Sequence, residues 1–302
     1  MKFVLFLNMG GVSNLKDCEL FLKKMFNDPY ILNIKNKILR SFVAFCIIKA
    51  RLKSMRKNYE QIGGKSPLNE ITQKLCDILN KENNYIFDFI NTYVPPFADE
   101  VLNKYNFRKD DEIILFPLYP HYSQTTVLSA LNIVKYHIKK NNIKAKIKEI
   151  DIFYDNDIYN KMIISHILKT DENFKKNQKK TLIFSAHSLP LSIIKNGDLY
   201  EEHIKTHFNI LKNQLNNNFD NIILSYQSKI GFIKWLEPST SNILKNINNE
   251  ALIYPLSFCI DCSETIFELD IEYRKIAKKD YKVIPCPNHS EEFIEFIKHY
   301  LS

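Results

Sequence analysis

Glycine is scarce in this 302-residue chain, six residues in all, and tryptophan occurs once. The glycine pair of the first turn, Gly10-Gly11, lacks the spacing of either common phosphate loop and is read as a place where the backbone approaches a ligand closely. No run of eighteen apolar residues exists, so no membrane-crossing helix is expected. No arginine-rich arm interleaved with aromatics is present, which argues against nucleic acid. The apolar run that opens the chain, Phe3 to Leu7, stops after five residues with no small-residue cleavage site behind it. It reads as a first strand rather than an export leader, and a cytoplasmic location is expected.

What is present is 45% hydrophobic residues and 42 Lys plus Arg against 34 Asp plus Glu, a formal charge of +8. The lysines are scattered along polar faces, so the charge speaks for solubility and a mild attraction to anions. Six cysteines, at 18, 46, 76, 259, 262 and 286, in a chain read as unexported imply reduced thiols. Cys259 and Cys262 form C-x-x-C, with Cys286 and His289 beyond. A metal site would need all four to converge across an intervening helix, and buried or loop thiols are the simpler reading.

Apolar strands that end abruptly carry the functional signal. Thr181 to Phe184 is β-forming, Pro190 blocks continuation, and His187 therefore falls at the carboxyl end of a buried parallel strand, the ligand-binding edge of open α/β sheets. Phe3 to Leu7 before Gly10-Gly11, and Ile113 to Phe116 before Tyr119, His121 and Tyr122, repeat that pattern. Strands alternating with helices predict an α/β fold of two similar doubly wound, Rossmann-like domains with a cleft between them. The domains are read as 1–140 and 141–302, with a crossover near 139–148, a solvated connector at Lys169 to Lys180, and a final helix that is a candidate to pack back on the first domain.

Two further stretches stand out. From about 26 to 50 large apolar residues crowd together, including Tyr30, Ile38, Phe42, Phe45 and Ile48, followed by Arg51, Lys53, Arg56 and Lys57. This is either helical core or a hydrophobic lip against a flat ligand or a bilayer surface. Near the other end Ser263 can cap a helix on which Glu264, Glu268 and Glu272 recur at i, i+4 and i+8, with Asp261 one step before. Carboxylates left unrelieved on one face suit a cation or a proton path, as well as a plain solvated helix start.

These blocks, in order, resemble the ferrochelatase family: Leu7-Asn8-Met9-Gly10-Gly11, Tyr59-x-x-Ile62-Gly63-Gly64-x-Ser66-Pro67-Leu68, Leu118-Tyr119-Pro120-x-Tyr122-Ser123, Phe184-Ser185-Ala186-His187-Ser188-Leu189-Pro190, Gly197-Asp198-x-Tyr200, Tyr226-Gln227-Ser228-Lys229-x-Gly231 with Trp235-Leu236, and Asp261-x-x-Glu264-Thr265-x-x-Glu268-Leu269-Asp270-Ile271-Glu272-Tyr273. The resemblance spans nearly the whole chain. It implies a chelatase-type fold and the insertion of Fe(II), a substrate rather than a cofactor, into a free-base porphyrin, with protoporphyrin IX favoured, as a late step of haem biosynthesis.

It also implies His187 and Glu264 as the catalytic pair and metal contacts, Glu268 and Glu272 as a proton or metal relay, and Met9, Arg51, Tyr119, Tyr122, Ser123, Lys229 and Trp235 against the porphyrin. Two roles stay open for His187, acceptor of pyrrole protons or first ligand of the metal. Val12, Lys65, Thr92, Pro95 and His121 depart from the family's usual residues, and the cysteine-bearing extension that holds an iron–sulfur cluster in some members is absent after Ser302, so no such cluster is expected. Competing readings are a coproporphyrin chelatase, a cobalt chelatase for a corrin precursor, and a haem or metal carrier without turnover. A monomer is expected, touching a membrane at most peripherally through the lip.

Overall fold

Runs of β-branched and aromatic residues form the centres of two four-stranded, all-parallel sheets. The computed structural model describes residues 1–82, 84–174, 180–229, 231 and 233–302. The described chain divides into two units, 1–119 with 123–151, and 120–122 with 152–302.

The first unit runs β1 (Lys2–Asn8), α1 (Asp17–Asn27), α2 (Lys37–Glu60), α3 (Leu68–Glu82), β2 (Tyr85–Asn91), α4 (Ala98–Leu102), β3 (Glu112–Pro117), a π-helical turn Gln124–Leu128, α5 (Ser129–Lys140) and β4 (Lys146–Glu149). The strand order is β2-β1-β3-β4. Val4 to Leu7 and Ile113 to Phe116 are all but sealed from solvent, because a parallel sheet is covered on both faces.

Gly10 has φ +91, and a Cβ there would stand 2.5 Å from Val94 and 2.8 Å from Asn91; one at Gly11 would stand 2.7 Å from Ser66. The close approach that demands glycine is thus to the protein's own chain, not to a ligand. The expected crossover at 139–148 instead carries β4, which pairs with β3 from Glu112↔Lys146 to Leu115↔Glu149, so the first unit reaches residue 151 rather than 140.

The second unit runs α6 (Asp157–Asn173), β5 (Thr181–His187), α7 (Leu191–Lys195), α8 (Tyr200–Leu215), β6 (Asn221–Gln227), α9 (Thr240–Asn246), β7 (Ala251–Pro255), a π-helix Glu264–Glu272, a 3-10 turn Tyr273–Lys275, β8 (Tyr281–Val283) and α10 (Glu291–Leu301). Its order is β6-β5-β7-β8. The last helix packs on α6 within this unit, Phe293 and Phe296 meeting the Tyr159 ring.

The solvated connector expected at 169–180 is corrected at both described ends. Lys169 to Asn173 complete α6, and Lys180 is buried with its ammonium 2.6 Å from Asp171. Residues 175–179 of that segment lie outside the described residues. Among the described residues no helix is long and apolar enough to cross a membrane.

The crowded stretch from 26 to 50 is partly core and partly surface. Leu22, Phe26 and Ala44 close a cluster between α1 and α2 with Ile31, Ile47 and Ile48 around it. Ile38, Leu39, Phe42 and Phe45 point outward, Ile38 83% and Phe42 64% exposed. Beside them the first unit holds a groove of about 1660 Å³, lined by apolar Phe45, Ile48 and Leu52 and by Lys23, Lys53 and Arg56 among others.

Candidate functional site

β5 delivers His187 to the carboxyl edge of the second sheet, opposite Gln227 at the end of β6. Three contacts fix its backbone there. Its N–H donates to the Ser257 hydroxyl at 2.9 Å, its carbonyl accepts from the Tyr200 hydroxyl at 2.9 Å, and the next N–H, of Ser188, donates to the Gln227 carbonyl at 2.8 Å. Gln227 is itself buried, held by the Ser185 hydroxyl at 2.8 Å, and its amide donates to the Glu264 carbonyl at 3.3 Å. The strand end and the start of the π-helix are thereby tied through one side chain.

The outcome is a pair: His187 Nδ1 lies 3.2 Å from Glu264 Oε1, the side chains 33% and 38% exposed, so both can be reached by a ligand. Burial pushes the imidazole pKa down, but the Glu264 carboxylate, with Glu268 behind it, outweighs that and raises it above the ordinary value. With Glu264 on Nδ1, a neutral imidazole carries its proton there and has its lone pair on Nε2, the tautomer a general base needs.

Glu268 stands behind this pair. It accepts from the Ser228 N–H at 2.7 Å, from the Tyr273 hydroxyl at 2.6 Å and, in a very short contact, from the Ser228 hydroxyl. Burial raises its pKa above the ordinary carboxylate value despite those donors. Glu272, the last residue of the π-helix, is exposed.

The expectations for the acidic stripe are corrected. The stripe rides on a π-helix, not an α-helix, and Ser263 makes no side-chain cap bond. Asp261 is not part of the acidic line: Thr265 donates to it at 2.8 Å and Asn288 at 2.6 Å, so it fastens the loop after β8 to the start of the π-helix. Ser123 is buried and caps the first unit's π-turn through the Thr125 N–H at 3.1 Å, so its hydroxyl is engaged locally. Lys229 is ion-paired with Glu237, and Trp235 is half-buried, bridged to Pro190.

Tyr122 is partly exposed, its N–H donating to His203 at 3.2 Å. Met9, Arg51 and Tyr119 are partly exposed residues of the first unit. Cys259, Cys262 and Cys286 are buried free thiols, and burial pushes Cys259 up to about 12. The Cys262 thiol lies 3.7 Å from Glu264 Oε2. Among the described residues no group of three or more His, Cys, Asp and Glu side chains is arranged to hold a metal ion. His187 and Glu264 offer one nitrogen and one oxygen side by side, a transient contact for a borderline ion rather than a cage.

The family model that matches is Ferrochelatase, over residues 2–302. The chain belongs to the ferrochelatase family. A ferrochelatase of Campylobacter jejuni (strain RM1221) is 62% identical over 100% of this chain and 99% of its own length. One of Campylobacter concisus is 54% identical over 98% of this chain and 96% of its own, and one of Helicobacter pylori 42% identical over 97% and 91%. Among solved structures, CbiX, described as the terminal enzyme of sirohaem biosynthesis in denitrifying bacteria, shares the fold with a TM-score of 0.55 at 11% identity, covering 100% of this chain and 99% of that one. As a ferrochelatase-family protein the chain is a metal-chelating enzyme with two chelatase-type, Rossmann-like units.

Ser257, Tyr200, Gln227, Ser228 and Tyr273 were not anticipated as parts of the site. Tyr200, Gln227, Ser228 and Tyr273 stand inside the family-like blocks, and Gln227 and Ser228 also follow the apolar strand from Ile222 to Tyr226.

Proposed function

We propose that this ferrochelatase inserts Fe(II) into protoporphyrin IX as the terminal or near-terminal step of haem biosynthesis, with His187 as the acceptor of the pyrrole protons. The observation that carries the reading is the His187–Glu264 pair, Nδ1 3.2 Å from Oε1; on this reading the carboxylate keeps the proton on Nδ1 and Nε2 is the base. Each pyrrole N–H that breaks leaves its electron pair on nitrogen for the entering ion, and its proton passes to Nε2. Two such protons leave for each Fe(II) that enters, so the macrocycle stays neutral. Glu268 and Glu272 carry the protons outward, Glu272 being the exposed end of the line.

Met9, Arg51, Tyr119, Tyr122, Ser123, Lys229 and Trp235 are proposed to face the porphyrin. The outward apolar face of α2 supports peripheral contact with a bilayer. Neither a prosthetic group nor a second protomer is needed by this scheme.

The test is anaerobic incubation of the protein with Fe(II) and either protoporphyrin or coproporphyrin, followed by loss of the free-base absorption bands. Repeated turnover with protoporphyrin is expected. Turnover with coproporphyrin alone reassigns the substrate, turnover only with Co(II) and a corrin precursor reassigns the reaction, and a single stoichiometric shift makes the protein a carrier. His187→Ala is expected to bind porphyrin and insert nothing.

A further inference from the structure

The carboxylate behind the catalytic pair is held more tightly than a relay of loose acids requires. Glu268 Oε1 receives two donors, the Ser228 N–H and the Tyr273 hydroxyl, and Oε2 receives the Ser228 hydroxyl. A carboxylate has about four lone-pair sites, so about one is left for a travelling proton. Ser228 has φ +67, a left-handed conformation that a non-glycine residue rarely adopts. In that conformation its N–H and its hydroxyl reach the same carboxylate. Tyr273 is buried immediately beyond the π-helix, its hydroxyl turned back to Glu268 across five residues. Backbone strain and two side chains from different elements thus converge on one acid.

We propose that Ser228 and Tyr273 are positioning residues that hold Glu268 as a stationary proton acceptor, which passes protons on from the His187–Glu264 pair and does not travel with the metal ion. The inference rests on the proposed relay and narrows it. A carboxylate that swings to hand over Fe(II) must release three charge-assisted hydrogen bonds, whereas a proton can hop onto the remaining lone pair and off again with every heavy atom in place. The ion's contacts then stay with His187 and Glu264, and Glu268 serves only the two protons that leave.

The experiment compares Tyr273→Phe, Ser228→Ala, Ser228→Gly and Glu268→Gln with the wild type, measuring kcat, the KM for Fe(II), the KM for porphyrin, and Tm. Ser228→Gly keeps the N–H, adopts the left-handed backbone freely and loses only the hydroxyl. The three clamp variants are expected to lower kcat by about tenfold each, since a misplaced relay group costs rate and not binding, while both KM values stay put. Should Tyr273→Phe melt early, Ser228→Gly carries the same comparison with its Tm unchanged.

A rise in the KM for Fe(II) at constant kcat overturns the proposal, because Glu268 would then be handling the ion. Wild-type kcat in the clamp variants beside an impaired Glu268→Gln overturns the clamp and leaves the relay standing. Wild-type kcat in Glu268→Gln removes the relay itself and the inference with it.

Discussion

The two units are built to one plan and put to different uses. Each has the strand order second-first-third-fourth, each central strand is seven residues long, and in each a π-helical segment follows the exit of the third strand. At the end of the first central strand stands Asn8, in register with Asn91; at the end of the other stands His187, in register with Gln227. The π-segment of the first unit is Gln-Thr-Thr-Val-Leu, without a charge, whereas that of the second is nine residues long and carries Glu264, Glu268 and Glu272. Topology therefore supplies the place for chemistry in both, and side chains supply the chemistry in one. Asn8 spends its amide on Thr72 at 3.3 Å and is sealed, while His187 keeps a reachable edge.

The sharpest way to break that contrast is to remove the group at each matching position. His187→Ala or Glu264→Gln is expected to lower insertion by about a thousandfold, the range of a positioned acid–base group. Asn8→Ala is expected to cost about 1 kcal/mol of stability for its lost hydrogen bond and to leave kcat alone. Steady-state rates with urea melts of the same samples decide it, and equal catalytic losses at the two sites would end the distinction.

The common frame can be tested in the cores. Phe6 on β1 and Phe184 on β5 are both fully sealed in the cores of their units. Each truncation to Ala should cost about 3–5 kcal/mol, and similar shifts in denaturation midpoint would bear out equivalent cores.

Titration next separates two histidines within the second unit. The raised His187 pKa means the imidazole is charged, and useless as a base, until the pH climbs past the ordinary value of about 6.5, so insertion should rise with pH through that raised value. The stability from the charged pair runs the opposite way, present below the unfolded value and lost as pH rises through the folded one. In Glu264→Gln burial dominates, and the acid limb of the residual rate should move to lower pH. A limb that stays where it was would mean another group sets it.

His207 moves in the other direction. Fully buried on α8, it bonds His121 at 2.9 Å and Asn160 at 2.8 Å, with His203 and Tyr154 beside it, and burial lowers its pKa to about 3. Its contribution to stability is present above an unfolded value of about 6.5 and is lost as pH falls towards the folded one. Acid titration of His207→Gln should show a shallower fall in stability across that window than the wild type.

How much of this could be read in advance follows from the forces involved. β1, β3, β5 and β7 are buried parallel strands, so they appear as apolar runs closed by Gly or Pro, and His187 is legible because Pro190 stops its strand. β4 reads Lys-Ile-Lys-Glu, all four exposed at a sheet edge, and no apolar pattern marks it. The π-helix escapes because Glu264, Glu268 and Glu272 fit α spacing as well, and the wider hydrogen-bond step is chosen by tertiary contacts such as Ser228 on Glu268. Asp261 was misread for the same reason: its partner Asn288 lies 27 residues away.

The smallest expected effect concerns a surface of the first unit, the outward face of α2. On α2, Ile38, Phe42 and Phe45 fall at i, i+4 and i+7, one stripe of an exposed face, with Leu39 beside them and Lys35, Lys37 and Lys49 within reach of anionic headgroups. Burying one such ring in the headgroup boundary is worth roughly 1.5–3 kcal/mol. Phe42→Asp should therefore weaken binding to vesicles containing anionic lipid by about tenfold, read by flotation, while insertion into porphyrin in detergent-free buffer keeps its wild-type rate. Binding that survives the substitution, or a rate that falls with it, would make this stripe a wall for the macrocycle instead of a membrane contact.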